Sequence, residues 1–376
     1  MVGPIINQKY FAKLDDDQKR WIITPAGNMF RNDFLWLKGN HCFVIGTTGS
    51  GKTNKGYWMV NWLKHSETQI WMDSGKSDEI IPLLCQGKNV RIITPKYCDV
   101  IIEERINGRW QKIENHPEVV NIPTASDTWA AIKTSKDEYG HRTYDTINIL
   151  CFRNAFWTQT ARAQWMTELF QTLADWSRLR IMPKIFPFTL HFDETQWAIS
   201  GKAVSTDAER TKSSEVITEN VLEIRSAGGR IVAYSQGFRN LPPAMRANLV
   251  CTILCRGADV SSDDSKKLSP HCNPPPWVKR PANFRKNEGK FITEDGRASP
   301  TDRPWPFPLF PKSEGDRRWI QRCRVRYVGF NDQRPAEAEI EEECQPELGR
   351  FSALAIKPEV QAMVESRWNT QAGETE

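Results

Sequence analysis

The chain has 376 residues, of which 39% are hydrophobic, 10% aromatic and 26% charged, with a formal net charge of +5. That is enough bulky apolar material for a sizeable core, so a wholly disordered chain is excluded, and the length allows two domains or one large domain with an appendage. No run of about 18 or more uncharged apolar residues occurs, which excludes a transmembrane helix, while the mild positive charge permits a nucleic-acid partner without demanding one.

The segment up to Arg20 is polar and acidic around Asp15, Asp16 and Asp17, unlike a signal peptide, and nine scattered cysteines suit a reducing compartment, so a soluble cytoplasmic protein is expected. Residues 1–38 hold short mixed segments, among them Trp21-Ile22-Ile23 and Phe34-Leu35-Trp36-Leu37, that read as lead-in strands packing on the core. His41-Cys42-Phe43-Val44-Ile45 is a continuous apolar run ending in glycine, the pattern of a strand buried on both faces of a parallel sheet. A helix follows from about Lys52 to Lys64, a strand from Gln69 to Asp73, a first-turn helix around Pro82 and a strand from Asn89 to Thr94. Residues 95–144 read as an insertion with short elements. Beyond it come a strand from Thr146 to Phe152 and a helix from Thr158 to Leu179, with Ala161, Trp165, Leu169, Leu173 and Trp176 at helical spacing. A strand from Phe188 to Phe192, a helix from Ser214 to Arg225, and strands from Arg230 to Tyr234 and Leu249 to Leu254 complete the pattern. Strands alternating with helices imply an α/β domain over 39–268 with a mostly parallel central sheet. From about Ser269 the chain turns rich in proline and basic residues, running from Lys279 to Arg326, and reads as an extended arm over 269–376. A small strand (Cys323–Val328), an acidic run (Glu337–Glu343) and a terminal helix (Ser352–Trp368) are expected within it.

Gly46-Thr47-Thr48-Gly49-Ser50-Gly51-Lys52-Thr53 fits the P-loop pattern in full, between a buried strand and a helix. Glycines let backbone N–H groups converge on phosphates, the helix N-terminus adds its dipole, Lys52 reaches the β- and γ-phosphates, and Thr53 offers a hydroxyl to Mg²⁺. Such a site needs a carboxylate on a neighbouring strand. Phe188–Phe192 ends in Asp193-Glu194, with Asp193 suited to the metal and Glu194 to the general base that activates water. Gln236 ends another apolar strand and is placed to sense the γ-phosphate or position that water. Cys251, Cys255, His271 and Cys272 lack the tight pairs of a structural zinc site and read as core, as do Trp58 and Trp62; His191 reads as an interior histidine bonded to backbone.

With these residues in order, the stretch Asn40 to Thr53 resembles the P-loop strand of the FtsK–HerA superfamily of DNA-pumping ATPases, which favours a histidine before the strand and the string GTTGSGK. Ile70-Trp71-Met72-Asp73-Ser74-Gly75-Lys76 is similar to its second-strand motif, an aspartate followed by a glycine-lysine turn; Asp193-Glu194 resembles its Walker B. Glu223 to Gln236 resembles the arginine, glycines and strand-end glutamine that precede a proline-containing loop, and Leu241 to Asn248 the segment after it. The resemblance covers about residues 39–260. Gly237-Phe238-Arg239 departs from the Arg-Pro common there, and nothing from 270 onward matches. It implies a RecA-like P-loop NTPase core, ATP and Mg²⁺ bound between subunits of a hexameric ring, Arg225 as the trans-acting arginine finger, Arg246 as a second basic residue across the interface, and Arg230 and Arg239 as rivals.

A ring motor grips the DNA backbone through sequence-independent basic contacts. Lys202, Arg210 and Lys212, in the polar stretch after the Walker B strand, are the candidate pore residues. The expected function is an ATP-driven double-stranded DNA translocase of the viral genome-packaging kind, with the arm docking on a capsid or portal vertex. A conjugation or plasmid-mobilisation ATPase is the nearest alternative, and a nucleotide-gated switch that moves no DNA is an alternative of another class.

Overall fold

The structure, a computed structural model, describes residues 11–37, 39–76, 79–86, 89–96, 98–136, 142–143, 146–153, 155–156, 159–179, 187–199, 208–301, 305 and 309–329. Its strands are β1 (Cys42–Ile45), β2 (Thr68–Met72), β3 (Asn89–Pro95), β4 (Asp99–Ile106), β5 (Arg109–Lys112), β6 (Glu118–Ile122), β7 (Ser135–Lys136), β8 (Arg142–Thr143), β9 (Thr146–Leu150), β10 (Phe188–Phe192), β11 (Gly229–Ser235), β12 (Cys251–Cys255), β13 (Gly289–Ile292) and β14 (Cys323–Val328). Nine of them form one sheet in the order β13-β12-β1-β11-β10-β2-β9-β3-β6. All its pairings are parallel except β12 with β13. This is the expected α/β P-loop NTPase fold.

Strand β1 is buried on both faces, and its alternation divides the core. Phe43 and Ile45 join Leu169, Leu173, Ile217 and Val221 from the helices Gln159–Leu179 and Ala208–Ser226. Cys42 and Val44 face the other side, against Trp58 and Trp62 of the P-loop helix Lys52–Leu63, which are core residues as expected. Cys251, Cys255 and Cys272 are likewise buried.

Among the described residues 11–37 no lead-in strand forms. Asp16–Ile22 and Pro25–Phe30 are α-helices, followed by a π-helix over Arg31–Leu35. Asp15 and Gln18 form a reciprocal capping box, and Thr24 caps the second helix with Pro25 in its first turn. Ile22, Ala26, Phe30 and Phe34, spaced by four, are all buried, so the segment presents one apolar stripe to the sheet. Arg230 fixes it there. Its guanidinium is fully buried, pairs with Glu67 at 2.7 Å and donates to the carbonyls of Phe34 and Leu37 at 2.5 and 3.4 Å.

The insertion is two structures in one. Strands β4 and β5 join β14 in a separate three-stranded sheet, while β6 returns to form the edge of the main sheet beside β3. The expected arm is also corrected: its described residues between 269 and 329 pack into the fold. Strand β13 continues the main sheet past β12, β14 closes the small sheet, and Trp305 is buried with its ring 4.9 Å from Trp21 and 5.6 Å from Phe30. The domain boundary at 268 therefore falls inside one packed unit. The expected terminal helix lies outside the described residues. Trp305→Ala should lower unfolding free energy in a urea titration by about 3–5 kcal/mol, as for other large core truncations; a detachable arm would show no change.

Two histidines are buried in neutral form. His41 is bonded through Nε2 to the Val221 carbonyl at 2.9 Å and accepts the Ile231 N–H at 3.0 Å, and burial pushes its pKa down to about 4. His191 meets side chains rather than the expected backbone, the Tyr234 hydroxyl at 2.9 Å and Gln69 Oε1 at 3.0 Å, and burial lowers it to about 3. Unfolded histidine protonates near 6.5. The stability each contributes is therefore complete above that pH and is lost as pH falls toward the folded value, at roughly 1.4 kcal/mol per pH unit per histidine. Urea titrations between pH 7 and 4.5 should show that slope, and His41→Gln should remove one proton's share of it.

Candidate nucleotide site

The parallel register places three strand ends side by side. Ile45 of β1 pairs with Ser235 of β11, and Phe192 of β10 pairs with Ala233. Because β11 lies between the other two, the P-loop and the Asp193-Glu194 pair stand two strand spacings apart, about 10 Å, with Gln236 between them.

After β1 the chain turns through Gly46–Gly51 into the P-loop helix. Gly51 caps that helix with φ +87°, and a Cβ there would lie 2.3 Å from Asn287 Oδ1. A Cβ on Gly46 would lie 2.7 Å from Cys255 Cβ, so glycine is required by the neighbours as well as by any ligand. The Thr47 N–H and hydroxyl both donate to the Arg256 carbonyl, at 3.1 and 3.2 Å. Ser50 Oγ is buried with no hydrogen-bond partner among the described residues. Lys52 Nζ donates to the carbonyls of Gly46 and Thr47 at 2.7 and 3.0 Å, inside the ring of the loop, and burial lowers its pKa. Thr53 Oγ1 donates to Asp193 Oδ2 at 3.3 Å. A hydroxyl and a buried carboxylate from two motifs thus face each other at the helix N-terminus, the hard-oxygen pair that suits Mg²⁺. A phosphate-bearing substrate and its metal fit the residues present.

Glu194 is the strained member. Its backbone sits in the left-handed region at φ 44°, ψ 50°, a conformation that costs a non-glycine residue on the order of 1–2 kcal/mol. Its carboxylate pairs with Lys76 through Oε1, lies 3.5 Å from Arg153 Nη1 through Oε2, and accepts from Gln236 Nε2 at 3.4 Å. Burial raises its pKa, but the Lys76 bond and the Lys76 and Arg153 charges outweigh that and hold it below the ordinary range. The structure thus brings Glu194 and Gln236 together. Around them lie two further buried acids. Asp73 is raised to about 7 by burial, against a 2.9 Å bond from the Tyr327 hydroxyl. Glu79 is pushed well above the usual range by burial and by the Asp193 charge, and it accepts the Ser74 N–H at 3.0 Å.

Arg153, Arg256, Asn287 and Tyr327 were not anticipated. Arg153 carries the same signal as Glu194 and Gln236, a polar residue just past an apolar strand, whereas Asn287 and Tyr327 carry no local signal. The predicted arginines pair within this chain. Arg225, in the last turn of the helix Ala208–Ser226, lies 3.2 Å from Asn40 Oδ1 and 4.0 Å from Glu294 Oε2, at the end of the sheet where β1 begins and opposite the end where the P-loop lies. Arg246 packs 4.3 Å above the Phe238 ring with Asp264 at 4.0 Å, and Arg239 pairs with Asp264 at 2.9 Å. Arg230, fully buried against Glu67, cannot serve a neighbouring subunit. Of the pore candidates, Lys202 lies outside the described residues, while Arg210 and Lys212 fall on a helix that begins at Ala208 rather than on a loop; Lys212 is exposed. Several arm cations are used internally: Lys279 with Glu288, Arg318 with Glu314, Arg322 with Glu104, and Arg324 and Arg326 with Glu103.

No protein-family model and no curated protein matches the sequence. Among solved structures, the chain is similar to the genome packaging NTPase B204 of Sulfolobus turreted icosahedral virus 2 in complex with ATP-gammaS. The identity is 14% over 71% of this chain and 98% of that one, with a TM-score of 0.36. It is also similar to VirB4 of Thermoanaerobacter pseudethanolicus, at 11% identity over 68% and 86% of the two chains, with a TM-score of 0.37. A third likeness is to the N-terminal domain of zonular occludens toxin from Neisseria meningitidis, at 13% identity over 75% and 98%, with a TM-score of 0.26. At this level the likenesses carry no argument about activity, which rests on the site itself. No helix among the described residues is long and apolar enough to cross a membrane.

Thr53→Ala should weaken Mg²⁺-dependent nucleotide binding roughly 10–100-fold in a calorimetric titration, the worth of a charge-assisted contact, while Thr53→Ser retains it.

Proposed function

We propose that the chain hydrolyses ATP and moves double-stranded DNA as a homo-oligomeric, hexameric ring of the viral genome-packaging kind. The observation that carries hydrolysis is the second carboxylate: Glu194 stands next to Asp193, is held by Lys76 and Arg153, and meets Gln236 from the intervening strand. Binding alone would need the P-loop, Thr53 and Asp193, and no base.

In this reading the P-loop N–H groups and Lys52 bind the triphosphate of ATP. Thr53 and Asp193 would hold Mg²⁺, which supplies neutralisation of charge on the β- and γ-phosphates. Glu194 takes the proton of the attacking water and Gln236 orients that water. Lys52 must leave the carbonyls of Gly46 and Thr47 to meet phosphate, a movement of the ammonium group within one site.

Arg225 supports the ring. It lies at the end of the sheet opposite its own P-loop, and in this reading it serves the site of another copy, where a guanidinium stabilises the transferring phosphoryl group. Exposed Leu37 and Leu222 line a shallow groove with Trp36, Asn40, Arg225, Ser226 and Glu294, a mixed apolar and polar surface offered to a second copy. DNA as the cargo rests on the resemblance of the motifs and on the exposed cation Lys212.

The test is the ATPase rate with and without duplex DNA, for wild type and Glu194→Gln. Duplex DNA should raise the wild-type rate, and Glu194→Gln should lose roughly 100–10,000-fold in turnover, the range for removal of a general base, while still binding ATP. Arg225→Ala should lose turnover and recover part of it when mixed with a Lys52→Ala protein, since each copy then supplies what the other lacks. A rate indifferent to DNA at every salt concentration would leave a nucleotide-gated switch.

A further inference from the structure

The glycine-lysine turn after β2 has no role in the reading above beyond its resemblance to a motif, yet its lysine touches the catalytic carboxylate. Gly75, at φ +80°, reverses the chain just after Asp73 and sends Lys76 back over the strand ends. The turn is pinned from within: Glu79 accepts the Ser74 N–H at 3.0 Å and the Ser74 hydroxyl as well. Lys76 Nζ bonds Glu194 Oε1 and lies 3.7 Å from Glu79 Oε1. On the other side, Arg153 reaches Glu194 Oε2 at 3.5 Å while donating to the Ser74 carbonyl of the same turn.

Glu194 needs such support because its left-handed backbone leaves the side chain's direction undetermined by the strand. Gln236 alone, at 3.4 Å, is a weak and neutral anchor. Cations on both oxygens fix the plane of the carboxylate, and one of them comes from a turn held by its own hydrogen bonds.

We propose that Lys76, with Arg153 as its counterpart, is a positioning residue that orients the Glu194 carboxylate toward the attacking water. Lys76 acts through Glu194 and not on the nucleotide. The inference rests on the proposed role of Glu194 in ATP hydrolysis.

Removing an orienting contact from a general base costs catalysis while leaving the phosphate cradle intact. Lys76→Met should therefore lower kcat roughly 10–100-fold, the scale of an ångström-level misplacement, with the Kd for Mg-ATP changed less than about threefold. Lys76→Arg should recover most of the rate. In a Glu194→Gln background, single-turnover hydrolysis of labelled ATP should show no further loss on adding Lys76→Met, because there is no carboxylate left to orient. Lys76 is 47% exposed, so the variants should fold; a thermal melt checks this, and Lys76→Gln stands in if Met aggregates. A parallel loss of affinity, or a further loss of rate in the Glu194→Gln background, would mean that Lys76 contacts the nucleotide and would overturn the inference. An unchanged kcat would overturn it too. If Glu194→Gln alone hydrolyses ATP at the wild-type rate, it is the underlying reading of the site that fails.

Discussion

Everything at the site depends on the parallel pairing of β1, β11 and β10. Three strands in that order, with Ile45 opposite Ser235 and Ala233 opposite Phe192, bring a phosphate loop, an amide and two carboxylates to one edge although they lie far apart in sequence. A register slip of one residue would turn Gln236 away from Glu194 and reverse every side chain of the strand. The register is well specified because all three strands are buried on both faces and because β11 is tied down twice, by Arg230 on Glu67 and by Ile231 on the His41 ring.

That edge is also a concentration of acids. Asp73, Glu79, Asp193 and Glu194 share it, and burial with mutual repulsion pushes Asp73 and Glu79 toward their protonated forms. Lys52, Lys76 and Arg153 are the balancing cations, each bonded to this chain's own oxygens. The site is thus built with cations whose present partners are internal, and in the proposed function Lys52 exchanges carbonyl oxygens for phosphate.

Much of this was legible in the amino-acid order. Strand β10 is legible to the residue, and the P-loop, Asp193, Glu194 and Gln236, which the structure brings together, carry local signals: an apolar run, then a polar residue at its C-terminal end. The N-terminal helices were missed because Trp21-Ile22-Ile23 and Phe34-Leu35-Trp36-Leu37 look like strands in short windows; the four-residue spacing of Ile22, Ala26, Phe30 and Phe34 shows only across 13 residues. The arm was misjudged because its prolines suggested an extended chain, whereas β13 needs only four residues and a free sheet edge to join the core. Asn287 against Gly51 and Tyr327 on Asp73 depend on pairings across more than 200 residues, and no window reads those.

Those two contacts bear on how the protein is made. The phosphate loop leaves the ribosome early, but Asn287 and Tyr327 are translated more than 230 residues after Gly51. At roughly 5–20 residues per second, the loop waits on the order of tens of seconds for the segments that pack on it. Between Cys255 and Gly289, about 2–7 s at that rate, β12 is an open sheet edge, since β13 has not yet arrived to cover it. A nascent chain stalled between Cys255 and Gly289 would present that unpaired strand to other chains, a route to aggregation.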